Sequence, residues 1–313
     1  IKITGTRIAF FTHNLNLEGA PIQLLEIAAG ITDRDGIIPI FFSPQDGPLR
    51  RRAEDLGFEV VIIPSNLIAG IQSEYYETIE RITAWLSTHH VDMIFANTIL
   101  SFWAVDLARK LMIPCIWIIH ESEPPFSQIN DWSNDAQHTA HKCLSYAYQV
   151  IFVSEATKAL FEPYAVERNF FVIYNGFDDT RMKERVFYSR EHARAKLSLK
   201  EKDVFTIMVG TVCERKGQLD FVESIGSLKT DAIEQSRFSI IGDRQSDYST
   251  KMHETLENLP DTHKGRISIH QETRDVGLYY AAADIFVCCS KIESFPRVIQ
   301  EAMHCGLAII TTP

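Results

Sequence analysis

The sequence predicts an α/β protein made of two doubly wound parallel-sheet domains, and three observations favour this fold. The chain has 313 residues, the size of two ordinary domains that can each bury a core. Short apolar runs alternate with longer helix-like segments, which is typical of βαβ units and parallel sheets. The alternation stops at residues 175–191, where glycine, aspartate and other charged residues show no periodicity, and then restarts.

In the predicted first domain, residues 1–180, apolar runs alternate with amphipathic segments. We expect strands at 7–11, 37–42, 59–63, 93–96, 115–120, 149–153 and 170–173. We expect helices at 21–32, 74–88, 102–111, 135–146 and 155–161. The non-periodic stretch that follows is predicted to connect the two domains.

The predicted second domain, residues 181–313, repeats this alternation. We expect strands at 205–209, 238–241, 266–270, 285–288 and 307–311. We expect helices at 218–228, 249–258, 276–283 and 296–304. Ligands of such sheets bind at the carboxyl ends of the strands, so polar residues that follow a strand are the candidates for a site.

Composition excludes several classes of protein. Hydrophobic residues make up 45% of the chain and charged residues 23%, as in a globular protein, and the net charge of −10 argues against a general nucleic-acid binder. No stretch approaches the roughly 18 apolar residues of a membrane span. The six cysteines lack metal-ligand spacing and the N-terminus lacks the shape of a signal peptide. We expect a cytoplasmic protein, for which peripheral contact with the inner membrane face stays open.

Two glutamates near the C-terminus, Glu293 and Glu301, flank a turn and the start of a predicted helix at Pro296. Six residues of helix would separate the two carboxylates by roughly 9 Å. Two hydrogen-bond acceptors at that spacing, beside free N–H groups at a helix start, suit a ligand with hydroxyls at both ends and phosphate between them. A nucleotide sugar is such a ligand. By itself the spacing is frequent by chance, and two solvated glutamates are the alternative.

The flanking residues extend this pattern. Ser294-Phe295-Pro296 follows the first glutamate, Glu301-Ala-Met precedes Gly306, and an apolar strand follows. This segment resembles the signature of the retaining glycosyltransferases of family four (glycosyl transferases group 1), which have the GT-B fold. The resemblance implies two Rossmann-like domains facing a central cleft, an acceptor-side domain followed by a nucleotide-sugar-binding domain.

The chemistry of glycosyl transfer suggests roles within this segment. We expect Glu293 to hold sugar hydroxyls, the N–H groups that follow it, at Ser294 and Phe295, to supply positive potential at the phosphates, and Glu301 to bind the ribose. A complete GT-B protein has further structure after this strand, so the second domain is expected to be incomplete at Pro313.

Two loops of the first domain are further candidates. Gly19 precedes Pro21, which suits the first turn of a helix, and no GxGxxG motif supports a dinucleotide site. The family has a glycine-containing loop here that faces the donor phosphates and the acceptor, and Gly19 and Ala20 match it. His120 ends an apolar strand and matches a family histidine that orients a hydroxyl of the transferred sugar. The alternatives are a plain βα turn and a structural histidine.

The loop after the first strand of the second domain places a cation beside a glycine that precedes a helix, which suits a diphosphate. It is not a Walker A sequence, so an ATPase has little support. The family has a lysine that Lys216 matches. It also commonly has an arginine directly after the first glycine, Gly210, where this chain has Thr211. Arg215 is the candidate for the missing charge.

Gly242 and Asp243 close the next strand. In the family such loops border the nucleobase, often through backbone groups. The sequence does not distinguish a UDP-linked from a GDP-linked donor.

Together these residues and the resemblance predict a hexosyltransferase-type enzyme that uses an NDP-sugar and needs no cofactor. Retention of anomeric configuration is implied by the resemblance alone. No Asp-x-Asp stands at a strand end, so a metal ion is not implied. The acceptor would be a carbohydrate or lipid-linked molecule, with polysaccharide biosynthesis as one setting. A sugar-nucleotide epimerase is one alternative, disfavoured by the Glu293/Glu301 segment. A non-catalytic nucleotide-sugar-binding or scaffold module of a longer protein is the other, motivated by Thr211 and the end at Pro313.

Overall fold

The computed structural model describes residues 5–63, 72–177 and 179–312. The chain forms two compact units, Ile1–Asn175 and Gly176–Pro313. Each unit contains one parallel β-sheet with helices packed on it.

The first unit contains a seven-stranded sheet in the order β3-β2-β1-β4-β5-β6-β7. Its strands are β1 Arg7–Phe11, β2 Ile38–Ser43, β3 Glu59–Ile62, β4 Met93–Asn97, β5 Cys115–Ile119, β6 Gln149–Phe152 and β7 Phe170–Val172. Its helices are α1 Gly19–Asp35, α2 Leu49–Asp55, α3 Gln72–Thr88, α4 Phe102–Leu111, α5 Asn134–Tyr146 and α6 Glu155–Phe161. The strand order reverses between β1 and β4, which is the topological switch point of this sheet.

Both faces of this sheet are buried, because successive side chains of β1 point to opposite cores. Phe11 packs in one cluster with Trp103 of α4, while Phe10 packs in the other with Leu24 of α1. A strand covered on both faces needs apolar residues at successive positions. This is why the predicted strands are continuous apolar runs rather than alternating ones.

The second unit contains a five-stranded sheet in the order β10-β9-β8-β11-β12, with its switch point between β8 and β11. Its strands are β8 Val204–Val209, β9 Ser236–Asp243, β10 Ile267–Gln271, β11 Ile285–Cys288 and β12 Ala308–Thr311. Its helices are α7 Asp179–Arg185, α8 Arg190–Lys196, α9 Gln218–Gly226, α10 Thr230–Glu234, α11 Asp247–Glu257, α12 Asp261–Lys264, α13 Val276–Ala282 and α14 Arg297–His304.

The predicted strands and helices are confirmed, but the connector is a correction. Residues 175–191 were predicted to lack periodic structure, whereas α7 lies within them and α8 begins at Arg190. In α7 only Met182 is described as buried in the core of the second unit, and Lys183 forms an i,i+4 ion pair with Asp179. A charged helix with a single apolar residue has no hydrophobic periodicity, so the sequence pattern could not reveal it. The short helices α2, α10 and α12 were also missed.

None of the helices in the described residues combines the length and apolarity that crossing a membrane requires.

Candidate functional site

The loops after β8 and β11 meet at the switch point of the second sheet. Lys216 Nζ forms an ion pair with Glu293 Oε1. Arg215 Nη1 lies 3.3 Å from the same oxygen and donates to the carbonyl of Ile292 at 3.0 Å. The backbone N–H of Lys291 donates to the carbonyl of Arg215 at 2.8 Å. The structure therefore brings together Lys216, Arg215 and Glu293, three residues that the sequence singled out separately.

Glycines allow these loops to approach so closely. Gly217 has φ 73°, and a Cβ there would lie 2.3 Å from the carbonyl oxygen of Cys289. Gly242, at the end of β9, has φ 120°, and a Cβ there would lie 2.4 Å from the carbonyl oxygen of Gly210. Only glycine fits either position, because both the backbone conformation and the space exclude a side chain. Gly242 thus serves close packing against the Gly210 loop.

The side chain of Gln218 forms hydrogen bonds with the backbone of the loop after β8. Sequence analysis did not identify this residue. It is fully buried at the start of α9. Its Nε2 donates to the carbonyls of Gly210 at 3.3 Å and Thr211 at 3.1 Å, while its Oε1 accepts from the N–H of Cys213 at 3.3 Å. A glutamine after a glycine carries no distinctive sequence signal, so only its burial identifies this role. Thr211, at a position where the family commonly has arginine, is exposed.

Glu301 lies in α14 and its carboxylate is engaged within the second unit. It is 8% exposed, with Oε1 accepting from Arg185 Nη1 at 2.7 Å and Oε2 accepting from the Tyr280 hydroxyl at 2.9 Å. Burial, reinforced by this carboxylate, raises the pKa of Tyr280 well above its ordinary value. A ribose would compete with these partners, so the assignment of Glu301 to the ribose stays a prediction.

Ser294 and Phe295 lie in the turn between Glu293 and α14, and both are partly buried. The N-cap of α14 is Pro296, whose side chain cannot cap a helix, and the first turn has no acidic residue. No side-chain cap and no acidic residue of the first turn therefore offsets the partial positive charge at the N-terminus of α14, which begins four residues after Glu293.

The side chain of Asp243 braces the following helix. Its Oδ1 accepts from Ser249 Oγ at 2.6 Å and its Oδ2 lies 2.9 Å from His253 Nε2, both in α11. Burial opposes ionisation of Asp243, but these hydrogen bonds outweigh it and the pKa is lowered. A contact between this loop and a nucleobase remains a prediction for its backbone groups.

In the first unit, polar side chains from the ends of β1, β4 and β5 meet at the switch point. His120 Nε2 lies 2.8 Å from Oδ1 of Asn97, the last residue of β4, which is fully buried. Thr98 Oγ1 lies 3.2 Å from Nδ1 of His13, which follows β1. Burial, with a smaller contribution from His13, lowers the pKa of His120 to about 3. His120 is therefore neutral at physiological pH.

Glu121 joins the same cluster. Its Oε1 accepts from the N–H of Ile99 at 3.0 Å and its Oε2 accepts from the N–H of His120 at 3.0 Å. Burial raises the pKa of Glu121 to about 7 despite these hydrogen bonds. Sequence reasoning singled out His120 but not Asn97 or His13, whose only signal is that each lies at or just after the end of a strand.

The predicted loop at Gly19 and Ala20 forms the start of α1. Pro21 lies in the first turn, as predicted. Glu18 is the N-cap, but its carboxylate instead contacts Asn14 Nδ2 at 3.2 Å and His13 Nε2 at 3.5 Å. Gly19 is exposed and a Cβ there would meet nothing within 4 Å, so no contact within the protein requires glycine. Its role toward phosphates stays a prediction.

Across the described part of the chain, no three histidine, cysteine, aspartate or glutamate side chains are grouped closely enough to hold a metal ion.

Two family models match the chain: glycosyltransferase family 4 over residues 18–181, and glycosyl transferases group 1 over residues 189–313. A curated relative, the sulfoquinovosyl transferase of Arabidopsis thaliana, is 24% identical over 237 residues. That alignment covers 74% of this chain and 44% of the relative, so the chain matches less than half of the relative's length.

Solved structures resemble the fold over nearly the whole chain. HepE of Anabaena, solved in complex with UDP and glucose, is 21% identical with a TM-score of 0.76, covering 98% of this chain and 80% of that chain. A glycosyltransferase from Rickettsia africae is 19% identical with a TM-score of 0.79, covering 98% and 79%. The two parallel-sheet units are Rossmann-like and match GT-B structures, which confirms the predicted fold class. With the family models, this shows that the chain belongs to the family 4 and group 1 glycosyltransferases.

Proposed function

We propose that this protein transfers a glycosyl group from a nucleoside-diphosphate sugar to an acceptor, with retention of anomeric configuration and without a metal ion. The observation that carries the proposal is the convergence of Lys216, Arg215 and Glu293 at the switch point of the second sheet. Retention rests on the resemblance of the segment around Glu293 to that of retaining enzymes. The family membership of the chain supports the reaction class.

The cations suit the leaving diphosphate. Breaking a sugar–phosphate bond places negative charge on the diphosphate, and fixed positive groups stabilise that charge best where water is limited. Lys216 has only 17% of its side chain exposed, and the N-terminus of α14, which begins four residues after Glu293, adds partial positive potential. Lys216 and Arg215 supply the positive potential that a divalent cation supplies in other transferases.

Glu293 suits the sugar. In the structure its carboxylate neutralises Lys216 and Arg215. A diphosphate bound by these cations would take over that neutralisation, and the carboxylate would then accept hydrogen bonds from sugar hydroxyls. We assign His120, on the resemblance, to orienting a hydroxyl of the transferred sugar.

UDP-glucose is the first donor to test, because HepE, which shares the fold, was solved in complex with UDP-glucose. The acceptor is proposed to be a carbohydrate or a lipid-linked saccharide.

A non-catalytic nucleotide-sugar-binding module is the second candidate, and one observation favours it. The side chain at the position of the family's arginine is the neutral, exposed Thr211, and Arg215 already donates to the carbonyl of Ile292. A weaker positive potential would permit donor binding with slow cleavage.

Nucleotide release from UDP- and GDP-linked sugars tests the proposal. We expect the wild type to release nucleotide and Glu293→Gln to lower the rate about 100-fold, because the sugar ring is no longer held. Glu257→Gln, an exposed glutamate of α11, is the matched control and should keep the wild-type rate. Donor binding without release under any acceptor would instead support the binding module.

A further inference from the structure

The His120 ring is held by a buried amide. Its Nε2 lies 2.8 Å from Oδ1 of Asn97, and Asn97 is fully buried at the end of β4. With the Asn97 amide placed as in this structure, its Oδ1 faces the ring and accepts, so Nε2 is the nitrogen that carries the proton, while Asn97 Nδ2 has no hydrogen-bond partner in the described part of the chain. A neutral imidazole has a single N–H, so the other ring nitrogen, Nδ1, is left as an acceptor.

The acceptor nitrogen is available for a ligand. Nδ1 of His120 makes no hydrogen bond to the residues that the structure describes, and the residue as a whole is partly exposed. The ring nitrogen that faces the protein is thus a donor with a fixed partner, and the remaining nitrogen suits a ligand that brings an O–H or N–H group.

Thr98, the residue after Asn97, has a strained backbone conformation that its hydrogen bonds keep in place. Thr98 has φ 73°, in the left-handed region that a β-branched residue rarely adopts. Its N–H donates to the carbonyl of Ile118 at 2.8 Å and its carbonyl accepts from Trp117 Nε1 at 2.8 Å. Its hydroxyl meets His13 at 3.2 Å, so each of its polar groups is used. Strained residues persist where the surroundings over-determine them, and they cluster at functional sites.

Glu121 fixes the same turn from the other side. Its two carboxylate oxygens accept from the N–H groups of Ile99 and His120, which ties the turn after β4 to the end of β5. Asn97 and His120 therefore sit on two backbone segments that one side chain holds together.

We propose that Asn97 is a positioning residue for the reaction proposed above: it fixes His120 as the Nε2–H tautomer, so that Nδ1 accepts a hydrogen bond from a hydroxyl of the sugar substrate. This inference rests on the proposed function for the identity of the ligand, but not for the tautomer. It also predicts specificity, because an acceptor without a partner in the protein discriminates against a deoxy sugar that leaves it unpaired.

A purely structural role for a buried asparagine is the competing explanation, and the chain offers a matched control. Asn169 is also buried in the first unit, where its Nδ2 donates to the carbonyls of Leu144 and Ala147 at 2.9 Å each. Asn169→Ala should destabilise the protein without acting on His120.

The tautomer is measured directly by NMR of protein labelled with ¹⁵N-histidine, with the His120 signals assigned from His120→Gln. In the wild type we expect a protonated Nε2 and an unprotonated Nδ1. Asn97→Ala should give a mixture of the two tautomers, and Asn169→Ala should keep the wild-type signals. Asn97→Asp, which keeps an acceptor oxygen, should keep Nε2 protonated and raise the pH at which His120 titrates, because a carboxylate favours the imidazolium. A protonated Nδ1 in the wild type, or wild-type His120 signals in Asn97→Ala, would overturn the proposal.

Turnover supplies the second readout. We expect Asn97→Ala to lower kcat for nucleotide release about 10- to 100-fold with little change in the donor KM, since misplacement of a positioned group costs rate on this scale. Asn97→Asp should recover part of the rate, and an unchanged kcat in Asn97→Ala would contradict the role in positioning. A wild type that releases no nucleotide from any sugar donor would count against the proposed function, while the NMR result still decides the tautomer. Asn97→Ser replaces Asn97→Ala in both measurements if the alanine variant does not fold.

Discussion

At the residue scale, His120 and Glu121 are neighbours on which burial has opposite effects. Burial disfavours the charged form of each, so it lowers the pKa of His120 from 6.5 to about 3 and raises the pKa of Glu121 from 4.5 to about 7. Between about pH 3 and 6.5 the unfolded chain binds more protons at His120, so stability rises with pH. Between about pH 4.5 and 7 the folded protein binds more protons at Glu121, so stability falls as pH rises.

Glu121→Gln removes the part of the pH dependence of stability that arises from the Glu121 carboxyl group. Relative to the wild type, we expect the variant to gain unfolding free energy as the pH rises from about 4.5 to about 7, because only the wild type must bury a charge there. Urea unfolding at both pH values measures this difference. A difference between variant and wild type that stays constant with pH would show that Glu121 does not titrate in this window.

Some site residues could be predicted from the sequence and others could not, depending on whether their role follows from a local motif or from a tertiary contact. Lys216 and Glu293 follow predicted strands within a recognisable motif, so their meeting was foreseeable from the edge rule for parallel sheets. Asn97 could not be identified from the sequence, because its contact with His120 depends on the register in which Asn97 pairs with Ile118. Gln218 was equally hidden, because its role is defined by the path of the loop above it.

At the scale of elements, the switch point between β8 and β11 depends on how closely two loops pack. Apolar runs predicted both strands, but the approach of Gly217 to the carbonyl of Cys289 is a tertiary contact that no local pattern encodes. Helix α7 was missed for the same reason. It is held by tertiary packing of Met182 and by the Lys183–Asp179 ion pair, and its sequence has no hydrophobic periodicity.

Gly217→Ala tests this packing, with Gly57→Ala as the control. Both glycines have left-handed backbones, φ 73° and 80°, but a Cβ at Gly57 would meet nothing within 4 Å. The two variants share the backbone cost, and we expect Gly217→Ala to lose about 1–3 kcal/mol more because its methyl group overlaps the carbonyl of Cys289. Chemical denaturation of both variants gives the difference, and equal losses would mean that the loops can separate freely.

At the scale of the whole molecule, each unit has its own sheet and its own cores. The sequence predicted two domains because the strand–helix alternation stops at residues 175–191 and then restarts. The identity of donor and acceptor does not follow from this architecture, since one fold supports many chemistries.

Hydrogen exchange resolves the two units separately and locates the donor site. With UDP at about 100 times its Kd, stabilisation of about 2.7 kcal/mol is expected for the unit that binds it. We expect slowed exchange in peptides that contain β8, β11 and the loops after them. Protection confined to peptides of residues 5–175 would place the nucleotide in the other unit and contradict the proposed site.

The central claim, that Lys216 binds the donor diphosphate, is tested most directly by calorimetric titration of UDP. Lys216→Gln removes the charge beside Glu293, while Lys264→Gln removes a comparable charge from α12, where Lys264 pairs with Asp261 at 3.2 Å. We expect Lys216→Gln to weaken UDP binding about 10- to 100-fold, the value of a charge-assisted hydrogen bond, and Lys264→Gln to leave it unchanged. Wild-type affinity for UDP in Lys216→Gln would contradict the account.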